Sequence, residues 1–315
     1  MKDKILKTPL KYFLIIIATV LVIGIILACC FGFNTSIEFG GGTQLKVTIN
    51  DINNASTIRK DSIAVLKDNK INVESSFVED NGTATYLVIR STNKTIKNAD
   101  EVKQQLADKL NIDVSQISNF ESIKGSLSSS NLILFGVGVI LAITIFFFIG
   151  WLRYKLVGGA TLALTILGNF LLYFALLAIT RIYLSSASLV SLVVSSIICL
   201  VLVVSILENV RQNYGTKQFE NLSEKDIVIE SAKPAIIPML FTIAIVALFS
   251  IILLFVPNNF VQIFALSALI GLISSVLFGL FVAVSFHGTL LEIANLQQKQ
   301  RVSKNPDFNK NKKSK

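Results

Sequence analysis

The chain has 315 residues, of which 52% are apolar and only 16% charged, and its mean hydropathy is +0.66. Soluble domains carry about 25% charged residues, so a soluble enzyme, a disordered protein and a secreted disulfide scaffold are excluded as the main class. The net charge of +9 is spread over the chain ends and short loops between apolar runs, the positive-inside pattern of a polytopic membrane protein and not a nucleic-acid face.

A spanning helix needs about 20 apolar residues, because the hydrocarbon layer is roughly 30 Å thick and each helical residue rises 1.5 Å. Six stretches meet this, Tyr12–Phe33, Asn131–Gly150, Leu156–Thr180, Ser185–Leu207, Pro234–Val256 and Phe260–Phe286. The first exceeds the roughly 7–15 residues of a signal-peptide core. Leu27 stands where a lipoprotein cleavage site before Cys29 takes a small residue, so a retained anchor is expected. Lys2, Lys4, Lys7 and Lys11 precede the first span, Arg153 and Lys155 follow the second, and Arg211, Lys217, Lys225 and Lys233 follow the fourth. A lysine-rich tail runs from Lys299, whereas the opposite side offers only Arg181 in its short connections. This bias puts both termini in the cytoplasm and residues 34–130 outside the cell membrane. The expected domains are residues 1–33 (N-terminus and first span), 34–130 (external domain), 131–287 (a five-helix membrane bundle with a cytoplasmic loop at 208–233) and 288–315 (a basic cytoplasmic tail).

The external segment reads as a folded α+β domain. Thr43–Ile49 alternates with the two-residue period of a half-buried strand. Asn54–Asp68 carries Ile58, Ile63, Val65 and Leu66 at near-helical spacing, with Asn54 or Ser56 as its N-cap. Asn72–Val78 is a second strand, Asn81–Gly82 a hairpin turn and Tyr86–Arg90 a third strand. Asn98–Leu110 places Val102, Leu106 and Leu110 on one helical face, and Val114–Ser122 is a fourth strand. The order βαββαβ is the split βαβ of ferredoxin-like domains. A serine run, Ser126 and Ser128–Ser130, reads as a flexible join to the second span.

In the membrane part, Gly158, Gly159, Gly271, Ser274, Ser275 and Gly279 are small enough for close helix approach. Pro234 and Pro238 are expected to be tolerated or to kink the fifth span. Ser223–Asp226 resembles a capping box and predicts a short helix before that span. Cys29, Cys30 and Cys199 lie in apolar runs with no CxxC pair, and His287 is the one histidine. There is no P-loop, dinucleotide fingerprint or catalytic triad, so no catalytic residue, cofactor or metal is expected.

Short motifs carry a resemblance. The junction Glu38-Phe39-Gly40-Gly41-Gly42-Thr43 resembles the acidic-aromatic-x-Gly-Gly-Thr element after the first span of SecF proteins, members of the SecD/SecF family within the resistance-nodulation-division superfamily. Gly150–Tyr154, with Arg153, is similar to the aromatic-Leu-Arg-aromatic element that closes the second span. Leu207–Asn213, with Glu208 and Arg211, is similar to the polar end of the fourth span, and Phe264–Gly271 to the opening of the last. The resemblance implies an accessory subunit of the Sec preprotein translocase, with a SecD-like subunit, the Sec channel, the translocating preprotein and membrane lipids as partners.

The family places proton-path acids on spans three and four. Aligned through its motifs, this chain has Gly168 and Asn169 in place of the first pair and Val201 and Leu202 in place of the second. An ionisable group at mid-span costs about 2.5–3.5 kcal/mol on insertion scales and is retained where function requires it. Proton coupling by this chain is therefore not expected. Glu208 and His287, at span ends, read as hydrated end-of-helix groups, while Asn169 and Ser205 could bind water or bond between helices. A small exporter of the same superfamily, and a membrane scaffold whose external domain binds envelope proteins, are the alternatives.

Overall fold

The structure is a computed structural model describing residues 10–49, 54–80, 84–125, 129–214, 216, 219, 222–256 and 258–304. In chain order the elements are α1 Leu10–Phe31, the single turn α2 Ile37–Gly40, β1 Gly42–Ile49, α3 Ala55–Asp68, β2 Val73–Asp80, β3 Thr85–Ser91, α4 Ala99–Leu110 and β4 Glu121–Ile123. They continue with α5 Ser129–Thr180, α6 Ser186–Asn213, α7 Glu224–Leu253, α8 Asn259–Val276, a π-helical turn Leu277–Val282 and α9 Ala283–Lys304. The chain divides into a sheet unit, Phe33–Phe135 with Tyr183–Ser186, and a membrane unit made of the remainder.

In the sheet unit four strands lie in the order β2-β3-β1-β4 with every pairing antiparallel. Helices connect β1 to β2 and β3 to β4, which is the split βαβ arrangement expected from the strand and helix periods. Leu45, Val47 and Ile49 alternate inward from β1 and meet Leu87 and Ile89 of β3, Val65 and Leu66 of α3, and Val102 and Leu106 of α4. Burying each such side chain is worth about 1.5–3 kcal/mol. The other sheet face is polar and aromatic: Arg90 lies 5.0 Å over the Phe77 ring, and Lys46 pairs with Glu79 at 3.1 Å. The turn expected at Asn81–Gly82 and the serines Ser126 and Ser128 lie outside the described residues.

The fourth strand differs from expectation. Val114–Gln116 is a 3₁₀ turn, Ile117 makes an isolated bridge to Val47, and the strand itself is only Glu121–Ile123. Local side-chain bonds displace the ladder. The Asp113 carboxylate accepts from Ser115 N–H, and Ser118 occupies both polar groups of Lys46, accepting its N–H at Oγ and donating to its carbonyl. The bond from Ser115 also holds the Asp113 carboxyl below its ordinary value.

Among the described residues, the membrane unit contains five helices long and apolar enough to cross a membrane, by length and composition. One of them, α5, has 52 residues but is broken at Tyr154 (φ −118°) and Lys155 (φ 63°, ψ −179°). Unbroken, 52 residues would reach about 78 Å, more than twice the roughly 30 Å layer. Beside the break a Cβ on Gly159 would come 2.6 Å from the Phe147 carbonyl, and one on Gly150 would come 2.9 Å from Gly159 Cα. Glycine here lets the two halves of α5 approach backbone to backbone.

One expectation is corrected in this unit. The segment capped by Ser223, whose Oγ accepts from Asp226 N–H at 3.2 Å, is not a separate short helix. It is the first part of α7, which runs continuously through Pro234 and Pro238. Val228, Ala232, Ala235 and Met239 pack against Leu202, Ile206 and Val210 of α6 and Leu280 and Val284 beyond α8, holding the backbone across both prolines. Beyond Phe286, the expected end of the last span, the helix goes on as α9 to Lys304, so His287 sits inside a helix.

Candidate functional site

The polar groups of the membrane unit gather in two places. The first joins three motif positions. The Glu208 carboxylate accepts from Arg153 Nη2 at 3.1 Å and Tyr154 Oη at 3.2 Å on one oxygen, and from Arg211 Nη2 at 2.6 Å on the other. Arg153 and Tyr154 come from the break in α5, and Glu208 and Arg211 lie three apart on one face of α6. Glu208 is thus a paired, partly exposed group joining two helices. Solvent screening leaves ion pairs with exposed members little net stabilisation, so this cluster fixes the register of the break more than it stabilises the fold.

The second place is a buried, uncharged seam. Thr161, Thr165, Asn169 and Tyr173 repeat every four residues on α5, and all four are buried. Asn169 and Tyr173 meet Ser188, Ser191 and Ser195 of α6, and Gly271 and Ser274 of α8. Tyr173 Oη donates to the Ser188 carbonyl at 2.6 Å and lies 2.5 Å from Ser191 Oγ. Asn169 Nδ2 donates to Ser195 Oγ at 3.3 Å, while Ser274 Oγ bonds Asn169 Oδ1 and its carbonyl. Ser195 and Ser275 hydroxyls lie 2.9 Å apart, and each reaches the Gly271 carbonyl. Lower on α5, Thr161 Oγ1 donates to the Val157 carbonyl at 2.8 Å and stands 2.9 Å from His287 Nδ1. One hydroxyl proton cannot serve both, so the direction of the Thr161–His287 bond depends on which ring nitrogen carries the proton. His287 is 5% exposed, which replaces the hydrated helix-end reading with a buried one.

The four positions standing for the family's acids separate. Asn169 is at the centre of the seam. The neighbouring Gly168 leaves room for the Phe278 ring of the π-helical turn. Leu202 is buried against Gly279 of the same turn, and Val201 is 49% exposed on the outer surface of the bundle. Packing and neutral hydrogen bonds surround Gly168, Asn169 and Leu202. Ser205 bonds the Val201 carbonyl of its own helix at 2.7 Å and not a neighbouring helix, one of the two roles open to it.

In the sheet unit the junction motif is structural. Gly41 has φ 74° and ψ 175°, a region essentially open to glycine alone. A Cβ on Gly42 would strike the Ser91 carbonyl of β3. Glu38 accepts from Ser186 N–H at 3.2 Å and Oγ at 2.5 Å, and Thr43 Oγ1 donates to the Asn93 carbonyl at 3.1 Å. Ile37 N–H donates to Glu74 Oε2 at 2.7 Å. Burial pushes the Glu74 carboxyl above its ordinary value; the Ile37 bond opposes this, Glu38 adds to it, and Arg90 opposes it.

Sequence reading missed most of the seam. The four-residue repeat Thr161-Thr165-Asn169-Tyr173 and the spacing Ser188-Ser191-Ser195 were the available signal, since both put polar groups on one helical face. Among the described residues no group of three His, Cys, Asp or Glu is arranged to hold a metal.

No family model matches the sequence, and no curated protein matches it. Solved structures do. A crystal structure of SecDF in a super-membrane-facing form superimposes with a TM-score of 0.72 over 94% of this chain, at 14% identity. The chain has the fold of SecDF. A second SecDF, described as a translocon-associated membrane protein from Thermus thermophilus, matches with a TM-score of 0.58 over 88% of the chain, at 16% identity. The chain spans 39% and 37% of the length of these two SecDF proteins, so the shared fold corresponds to under half of either.

Proposed function

We propose that this chain is a SecF-like accessory subunit of the Sec preprotein translocase. It works in the cytoplasmic membrane beside a SecD-like partner and the Sec channel, with both termini in the cytoplasm and the sheet unit outside, where it meets the translocating preprotein. The observation that carries this reading is the SecDF fold over 94% of the chain. The meeting of Arg153, Glu208 and Arg211, three positions picked out by the SecF-like motifs, adds to it. The role is mechanical, not enzymatic, and needs no cofactor.

Proton movement is assigned to the partner. The seam at Asn169 offers hydroxyls and an amide, which exchange hydrogen bonds but do not hold an extra proton at neutral pH. This separates the reading from that of a small proton-driven exporter, which needs a titratable group at that depth. Affinity purification of the tagged full chain in mild detergent tests the assignment. Recovery of a SecD-like protein and Sec channel subunits is expected, and recovery of neither contradicts it.

A further inference from the structure

The α5 break borders a cavity of about 440 Å³ that protein export leaves without a role. Arg153, Lys155 and Arg211 line it together with Tyr214 and Asn295, and Val157, Leu207 and Leu291 supply apolar wall. Two carboxylates stand close by, and both are engaged. Glu208 takes Arg153 and Arg211, while Glu224 accepts from Asn295 Nδ2 at 2.6 Å and Tyr214 Oη at 3.3 Å. Lys155 has no carboxylate partner among the described residues. It is also held at φ 63°, a conformation that non-glycine residues avoid and that persists where the surroundings impose it.

We propose that this cavity binds the phosphate of an anionic phospholipid headgroup. Guanidinium groups match phosphate oxygens in fork geometry, and a lysine supplies a point charge. The apolar wall favours a lipid over free phosphate, because it receives the glycerol and upper acyl chain. The residues flanking the two cations agree: Trp151, Leu152 and Leu156 are 47%, 85% and 58% exposed, as suits contact with acyl chains and the interface.

The test uses the purified full chain, stripped of lipid in detergent and titrated separately with phosphatidylglycerol, phosphatidylcholine and inorganic phosphate. Bound lipid is read by native mass spectrometry, and stability by thermal unfolding. Phosphatidylglycerol is expected to be retained in preference to phosphatidylcholine and to raise Tm. Lys155→Gln and Arg211→Gln are each expected to lower that preference roughly five-fold with the helical circular dichroism unchanged. Lys225→Gln, which removes a cation paired with Glu292 and not lining the cavity, is expected to leave it intact. Equal retention of both lipids, or a preference that survives both cavity substitutions, overturns the proposal. Stabilisation by inorganic phosphate equal to that by phosphatidylglycerol overturns the lipid assignment in favour of a soluble phosphate ligand.

Discussion

The two units sort the same residue types in opposite directions. The sheet unit buries Leu45, Val47, Leu87, Ile89 and Leu106 and turns Lys46, Glu79 and Arg90 to the other face of the sheet. The membrane unit exposes Phe241, Leu248 and Phe249 and buries Asn169, Ser188, Ser195, Ser274 and Ser275. Water rewards the first arrangement and lipid the second. In hydrocarbon an unpaired polar group costs several kcal/mol, so side-chain amides and hydroxyls collect where helices can satisfy one another. Buried apolar contact then holds the sheet unit together, whereas close packing and small polar bonds hold the helices.

The largest expected effects test packing in each unit. Leu87→Ala in the sheet and Leu202→Ala in the bundle should each destabilise by about 2–5 kcal/mol, seen as faster hydrogen exchange confined to the unit that carries the change. Gly41→Ala comes next, at about 1–3 kcal/mol, because only glycine occupies that backbone region without strain. Its effect should appear as increased protease sensitivity near β1. Tyr173→Phe removes the hydroxyl from Ser188 and Ser191 while keeping the ring, and should cost about 0.6–1.7 kcal/mol in detergent unfolding. Val201→Leu, one residue before Leu202 but facing outward, should shift stability by less than about 0.5 kcal/mol. A loss at Val201 comparable to that at Leu202 would mean that the outer surface is covered.

A pH experiment sharpens the same contrast within the sheet unit. The folded Glu74 carboxyl is raised above its ordinary value of 4.5, chiefly by burial. A carboxyl raised on folding prefers its proton in the folded state. Its contribution is therefore complete below the unfolded value and is lost as pH rises through the folded one. Glu74→Gln, which can still accept from Ile37 N–H, should flatten the loss of sheet-unit stability above about pH 4.5. An unchanged pH slope in that variant contradicts this role for Glu74.

Period and capping chemistry made much of this architecture legible. Alternation over Thr43–Ile49 and Tyr86–Arg90 marked the two central strands, and the spacing of Val102 and Leu106 marked α4. Ser223 correctly announced a helix start. The errors arose where tertiary contacts override local signals. Ser118 replaces part of a strand with side-chain bonds, packing carries α7 through two prolines, and Thr161 draws His287 into the interior. At the site, motif spacing singled out Arg153, Glu208 and Arg211 but could not show that they share one carboxylate. Most of the seam escaped because a serine in an apolar run looks the same facing lipid or facing a partner helix, as Ser205 and Ser195 demonstrate.

Depletion of the chain in growing cells, followed by pulse-chase labelling of a secreted precursor, tests the export role most directly. The account predicts that precursor accumulates and maturation slows, with recovery when the wild-type chain is restored. Maturation at an unaltered rate after complete depletion would contradict it.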